Sequence, residues 1–168
     1  MKNRSSYFLL VLVIVAGFVL NSCKKEDKSN ITNLLTTGTW QLASIQVVHY
    51  VGDSRIKTDT LNTKCDTTQI FTFNKDFTCT YTNFNCKVQP TATGNWELSR
   101  DKLFLHSNMV CQDTTKAGSS QPFINAQINN LGQYSLILET GDIIQYYTST
   151  QKRTIARYGF IRQRITSN

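Results

Sequence analysis

The chain is poor in the side chains and motifs that carry most enzyme chemistry. It has two histidines, His49 and His106, in 168 residues. Gly-x-Ser-x-Gly, His-Glu-x-x-His, a phosphate loop and a dinucleotide fingerprint are all missing, which removes the commonest hydrolase, metalloprotease and nucleotide-dependent classes. Cys-x-x-Cys and clustered histidines are missing too, so a zinc site is not expected. The acids Asp53, Asp59, Asp66 and Asp113 fall in segments read as long loops. They could converge, but loop acids are ordinarily solvated. No enzyme activity, no cofactor and no metal are expected. After residue 20 no apolar run approaches the ~20 residues a spanning helix needs.

What is present begins at the amino terminus. Lys2 and Arg4 form a basic head, Tyr7 to Leu20 an apolar run of 14 residues, and Leu20-Asn21-Ser22-Cys23 closes the segment. That layout is a secretory signal over residues 1–22. The closing residues resemble a bacterial lipoprotein box, in which a small residue precedes the cysteine that takes lipid on its thiol. Asn21 stands where a smaller residue is usual. The resemblance implies a lipid, palmitate among its acyl chains, on Cys23; an ordinary cleaved signal or an uncleaved anchor is the other reading. Removing residues 1–22, which carry Lys2 and Arg4 and no acid, lowers the net charge from +7 to +5. Acyl chains bind a membrane by about 0.8 kcal/mol per buried methylene, so several on one cysteine anchor firmly.

Residues 23–33 read as a polar tether that cannot bury enough surface to offset its ordering entropy. Lys24-Lys25-Glu26-Asp27 resembles the lysine-then-acids tag that sends some Gram-negative lipoproteins to the outer face of the outer membrane. A merely solvated linker fits those four residues equally well. The partner implied is therefore a membrane, and the place the outer membrane.

From Thr39 onward the pattern is strand after strand, within one domain over 34–168. Alternating or β-branched runs fall at Thr39–Tyr50, Thr68–Phe73, Phe77–Thr82, Thr93–Leu98, Lys102–Ser107, Pro122–Ile128, Gln133–Glu139, Asp142–Thr148 and Thr154–Ile165. Asn, Asp, Gly, Ser and Lys clusters separate them, as in an antiparallel meander. A single helical turn is possible at Ile31–Leu35. Two hairpins check the assignment. A turn at Asn74-Lys75-Asp76 pairs Phe73 with Phe77 and Phe71 with Cys79. A turn at Arg100-Asp101 pairs Leu98 with Leu103 and Trp96 with Leu105. Each pairing puts large residues on one face, and a slip by one residue would destroy both agreements.

Pairing in sequence order puts short turns (74–76, 99–101, 129–132, 149–153) at one end and long connections (51–67, 83–92, 108–121) at the other. The expectation is all-β: an antiparallel up-and-down barrel of eight or nine strands, with its mouth at the long-loop end.

Gly38-Thr39-Trp40 opens the first strand and resembles the Gly-x-Trp signature of lipocalins and their bacterial lipocalin-like relatives. Thr72-Phe73-Asn74-Lys75-Asp76 and Gly94-Asn95-Trp96-Glu97-Leu98 are similar to strands of lipocalin-like lipoproteins. The resemblance implies that Trp40 plugs the closed end. The family's carboxy-terminal helix and its arginine over the tryptophan are not readable in the sequence.

Setting Cys23 aside leaves Cys65, Cys79, Cys86 and Cys111, an even number that suits an exported domain and permits three pairings. The hairpin register favours Cys65–Cys86 with Cys79–Cys111; Cys65–Cys111 with Cys79–Cys86 is second. The last strand carries Lys152, Arg153, Arg157, Arg162 and Arg164, but alternation splits them between both faces. They read as a solvated exterior, and nucleic acid is not an expected partner.

Two function classes remain. In one, the barrel binds a small lipophilic ligand against Phe71, Phe73, Phe77, Tyr81, Trp96, Leu105, Tyr134 and Leu136, with Leu98, Leu103 and Leu138 on the same faces. In the other, those bulky residues fill the barrel, and the long loops are the working surface of an envelope interaction or inhibitor protein. The resemblance tips the balance to ligand binding.

Overall fold

A computed structural model describes residues 29–61, 64–112, 119–143 and 146–163. The signal, Cys23, Asp113 and Arg164 lie outside the described residues. The first element is a helix, α1, over Ser29–Thr36, which starts inside the segment read as a tether. Ile31, Leu34 and Leu35 recur at helical spacing, and Leu35 is fully buried. The helix therefore forms because its apolar stripe has a core to cover. Gly38, at φ +79°, turns the chain into the first strand with a backbone conformation other residues rarely adopt.

The strands follow as β1 (Thr39–Val51), β2 (Ser54–Leu61), β3 (Ile70–Phe73), β4 (Thr78–Thr82), β5 (Ala92–Leu98), β6 (Phe104–Ser107), β7 (Cys111–Gln112), β8 (Ser119–Ser120), β9 (Ala126–Leu131), β10 (Ser135–Gly141) and β11 (Lys152–Arg162). The main sheet runs β11-β10-β9-β6-β5-β4-β3-β1-β2 and closes on itself through β11–β1. Eight strands thus make a closed antiparallel barrel, and β2 is an extra strand beside β1. β7 and β8 pair separately.

The first strand explains how both fit. The amino-terminal end of β1, Thr39–Gln41, pairs with β3, whereas its later part, Ile45–Val51, pairs with β2 along the same edge. β1 and β11 run on beyond the barrel, and β2 lies against that extension as an arm. Residues 54–61 alternate weakly and are almost all exposed, which is why the sequence reads them as loop. In the opposite sense, Asp142 and Ile143 and residues 146–148 are not strand, although their β-branched and aromatic content suggested one. Gly141, at φ +96°, ends β10 there. The connection from β10 to β11 is consequently long and belongs to the open end.

Both hairpins keep the expected faces but sit two residues out of the expected register. Phe73 pairs with Cys79 and Phe71 with Tyr81; Leu98 pairs with Leu105 and Trp96 with Ser107. The cause lies in the turns. Phe77 and Lys102 adopt left-handed φ values of +64° and +62°, so each loop takes in more residues than a tight turn would. An even slip preserves the faces of the strands and expels the residues caught in the turn. Phe77 and Leu103, expected inside, are about half exposed for that reason.

Candidate functional site

The barrel's inner wall is apolar because alternate residues of every strand point inward. Phe71, Phe73, Tyr81, Trp96, Leu105 and Leu136, six of the expected ligand-facing residues, are buried there. Phe77 and Tyr134 are not: both lie in closed-end turns and are more than half exposed. Trp96 belongs to the closed end, where its ring lies 5.5 Å from Phe73 and its indole N–H donates to the Asn74 carbonyl.

The closed end is built around Trp40, which has no exposed surface. Its indole N–H donates to the Leu35 carbonyl at 2.9 Å, tying α1 to the barrel floor. The Arg162 guanidinium stacks 4.4 Å from the centre of the Trp40 ring. The same guanidinium donates to the Leu34 and Thr37 carbonyls. The plug is therefore sandwiched between the barrel interior and a cation that also caps the end of α1. Alternation had set Arg162 on the Phe160 face, which is the inward one, but the basic residues of this strand were read as solvated exterior. That reading fails for Arg162 and also for Arg153. Arg153 is 8% exposed, stacks 3.5 Å from the Tyr147 ring centre and donates to the Gly52 carbonyl.

The upper interior differs in one respect. Its central ring, Phe123, comes from the connection between β6 and β9 rather than from a wall strand, and it is fully buried. Its centroid lies 4.9 Å from Phe71, 5.8 Å from Tyr81, 5.1 Å from Tyr158 and 6.4 Å from Phe160. Met109 and Cys111 from the same connection are buried with it. Tyr158, Phe160 and Phe123 are not among the site residues the sequence points to. For the first two the signal was present, as inward alternation in β11; for Phe123 there was none, since loop residues carry no period.

A disulfide staples the mouth. Cys65, before β3, bonds Cys86, after β4, across 21 residues with Cα atoms 5.3 Å apart. Beneath it the buried Gln69 accepts from the Tyr81 hydroxyl at 3.3 Å and from the Asn85 backbone N–H at 3.1 Å. Burial first, and then the neighbouring Tyr158 and Cys111, push the Tyr81 phenol well above its ordinary pKa. The expected partner bond, Cys79–Cys111, is not made: both are free, buried thiols. Cys79 points into the barrel, where its sulfur lies 3.2 Å from the Ser107 hydroxyl, while Cys111 sits in β7 opposite Ser120. Burial, and secondarily Cys79, push the Cys111 thiol up to about 12.

Among the described residues the remaining polar candidates do not converge. Asp53 accepts from the Tyr147 hydroxyl at 2.6 Å, and Asp59 pairs with Lys57 at 2.8 Å and His49 at 3.3 Å on the arm. His106 lies on the outer wall with Nδ1 3.2 Å from the Ile124 carbonyl. It borders a shallow cleft of about 340 Å³ with Asn95, Glu97 and Asn108. Among the described residues no group of three or more potential metal ligands comes together.

Residues 36–154 match the family model of the lipocalin-like domain. The chain belongs to the lipocalin-like domain family. No curated protein and no solved structure gives a match. In this lipocalin-like domain the Gly38-Thr39-Trp40 signature sits at the closed end, as the resemblance implied. The arginine that the sequence concealed is Arg162.

Proposed function

We propose that this is a lipid-anchored, non-catalytic lipocalin-like protein of the outer membrane that binds one small lipophilic molecule in the upper half of its barrel. The anchor is lipid on Cys23, and the tag at Lys24–Asp27 supports display on the outer face. The ligand's place is the space the Phe123 ring occupies. That ring is the observation that carries the reading: wall strands supply Phe71, Tyr81, Tyr158 and Phe160, and a loop residue completes the cluster. Apolar pockets with a few polar groups are what such barrels use to hold small molecules. Here Gln69 and the Tyr81 hydroxyl are the polar pair beside the aromatic wall.

A second reading is favoured by the extent of burial. Leu35, Trp40, Phe71, Leu105, Phe123, Leu136 and Leu138 all show no exposed surface. A barrel so filled could serve as a rigid scaffold whose long connections contact an envelope partner. An apolar fluorescent probe separates the two. Ligand binding requires saturable binding to the native protein at about one site, displaced by lipophilic metabolites. No binding at any probe concentration below its solubility limit would leave the scaffold reading in its place.

A further inference from the structure

The fold buries one cation without giving it an anion. Arg153, in β11, is buried, and its guanidinium lies 3.5 Å from the Tyr147 ring centre and 5.2 Å from that of Tyr50. Aromatic rings satisfy the flat faces of a guanidinium, whereas its N–H groups point outward along the edge and ask for acceptors. On that edge Nη2 donates to the Gly52 carbonyl at 3.0 Å, while the buried Nε makes no hydrogen bond. Arg162, whose Nε is likewise unbonded, differs in giving both Nη atoms to carbonyls.

Among the described residues the ion pairs are His49–Asp59, Lys57–Asp59 and Arg157–Glu139, so no carboxylate there pairs with Arg153. Two acids of the neighbourhood are used otherwise. Asp53 accepts from the Tyr147 hydroxyl at 2.6 Å, and Asp142 from the Thr154 N–H at 2.8 Å. Both carboxylates stay charged and balance the surroundings. The place therefore attracts through direct contact with the guanidinium edge, not through a positive field.

Arg153 borders a cleft of about 280 Å³. Phe104 and Gln127 of its lining stand next to the inward Leu105 and Ala126, and Ile155 is out of phase with Tyr158 and Phe160. All three thus belong to the outer wall of the barrel. Ile143 and Tyr147, from the connection between β10 and β11, supply the other side. That connection is held in place: the Gly52 N–H donates to the Gln151 carbonyl at 2.9 Å, and a Cβ on Gly52 would lie 2.4 Å from the Ser149 carbonyl oxygen. The guanidinium is consequently fixed before any ligand arrives, which lowers the cost of binding.

We propose that this outer cleft binds a small anionic amphiphile, a short-chain carboxylate, with its oxygens on the Arg153 guanidinium and its chain along Ile143, Ile155 and Phe104. A planar carboxylate matches the planar fork of arginine. The volume falls just below the about 300–1,000 Å³ of sites that take drug-sized ligands, which limits the tail to a short chain or a single ring. The site is separate from the barrel interior and needs neither Phe123 nor the lipid on Cys23.

The test titrates the full chain, held in nanodiscs of zwitterionic lipid at neutral pH, with octanoate and follows it by nitrogen-15 NMR. The Arg153 Nε–H signal is assigned through its contact with the Tyr147 ring. Octanoate should move that signal downfield and saturably, and the backbone signals of Gln127, Ile143 and Ile155 should follow the same curve. Octanol, which has the tail without the charge, and acetate, which has the charge without the tail, should each bind at least tenfold more weakly. Gln127→Glu sets a resident carboxylate in the cleft; it should keep the fold and weaken octanoate at least tenfold. If its amide spectrum shows that the variant has unfolded, the titrations of the parent decide alone. An Arg153 signal that stays in place overturns the site, as does octanol binding as tightly as octanoate or an unchanged affinity in folded Gln127→Glu. Shifts confined to Tyr158 and Phe160 also overturn it, and they leave a ligand inside the barrel standing.

Discussion

The two ends of the barrel are sealed by different kinds of residue. At the closed end the seal is Trp40, a strand residue held from one side by Arg162 and from below by α1. Nothing there can leave without undoing β1–β3 or β1–β11 pairing. At the open end the seal is Phe123, carried by a connection that has no strand of the main sheet between β6 and β9. Withdrawing Phe123 costs the contacts of its ring and strains the bond its carbonyl accepts from the Ser107 N–H, and it leaves the strands of the wall paired. On the proposed reading one end is structural and the other exchangeable, although both are equally buried. Burial alone does not distinguish a plug from an occupant; the covalent context of the ring does.

The sharpest way to break this comparison is at Trp40. Trp40→Ala should cost about 3–5 kcal/mol, because α1, Arg162 and paired strand ends border the void and none can collapse into it without giving up its own hydrogen bonds. Chemical denaturation checks this, and a midpoint equal to the parent's would take the structural role away from the closed end. Next in size is the mouth staple. Cys65→Ser with Cys86→Ser opens a loop of 21 residues and should cost on the order of 3 kcal/mol. Mapping native-state hydrogen exchange before and after should show the loss concentrated around Gln69 and residues 83–89. Phe123→Ala should cost less than Trp40→Ala, about 3 kcal/mol, the low end for a buried aromatic, since its connection can settle into the space. Equal losses at Trp40 and Phe123 would erase the distinction between the two ends.

How much of this was legible in the sequence follows from what carries a period. The barrel, its closed and open ends, and the inward faces of β3 to β6 came from alternation and from turn residues. Cys65–Cys86 came from the same register, and an even slip left it intact. Three things had no periodic signature. The loop ring Phe123 looks like any residue beside a proline. The arm strand β2 buries almost nothing, so its residues show no hydrophobic alternation. The left-handed Phe77 and Lys102 lengthened both turns, because neither residue announces a positive φ. Arg162 was on the correct face, but chemistry overrode geometry: a charge on an inward face was read as solvated, when an aromatic ring and two carbonyls were waiting for it. Conversely, the β-branched and aromatic residues at 142–148 mimicked a strand after Gly141 had ended β10.

The effect that is smallest at neutral pH, and that grows as pH rises, is on pH dependence. The Cys111 thiol is pushed up to about 12 in the folded protein, whereas in the unfolded chain it ionises near pH 8.5. Between those values the unfolded state gives up a proton that the folded state keeps, so stability falls as pH rises above about 8.5. Tyr81 shifts in the same direction. Thermal midpoints of the parent should decline from neutral pH toward pH 11, and Cys111→Ala should flatten part of that decline. A decline of equal slope in the variant would mean that the Cys111 thiol is not protected by burial.

The most direct test of an exchangeable open end is a paired titration of the parent and Phe123→Ala with one apolar fluorescent probe. In the parent the probe must displace the Phe123 ring, so its apparent affinity is reduced by the small fraction of molecules with the ring withdrawn. Removing the ring should raise affinity by about tenfold or more while keeping one site per barrel, which corresponds to a difference of about 1.4 kcal/mol or greater. Equal affinity in the two proteins, or no binding to either, would contradict an exchangeable plug at the mouth.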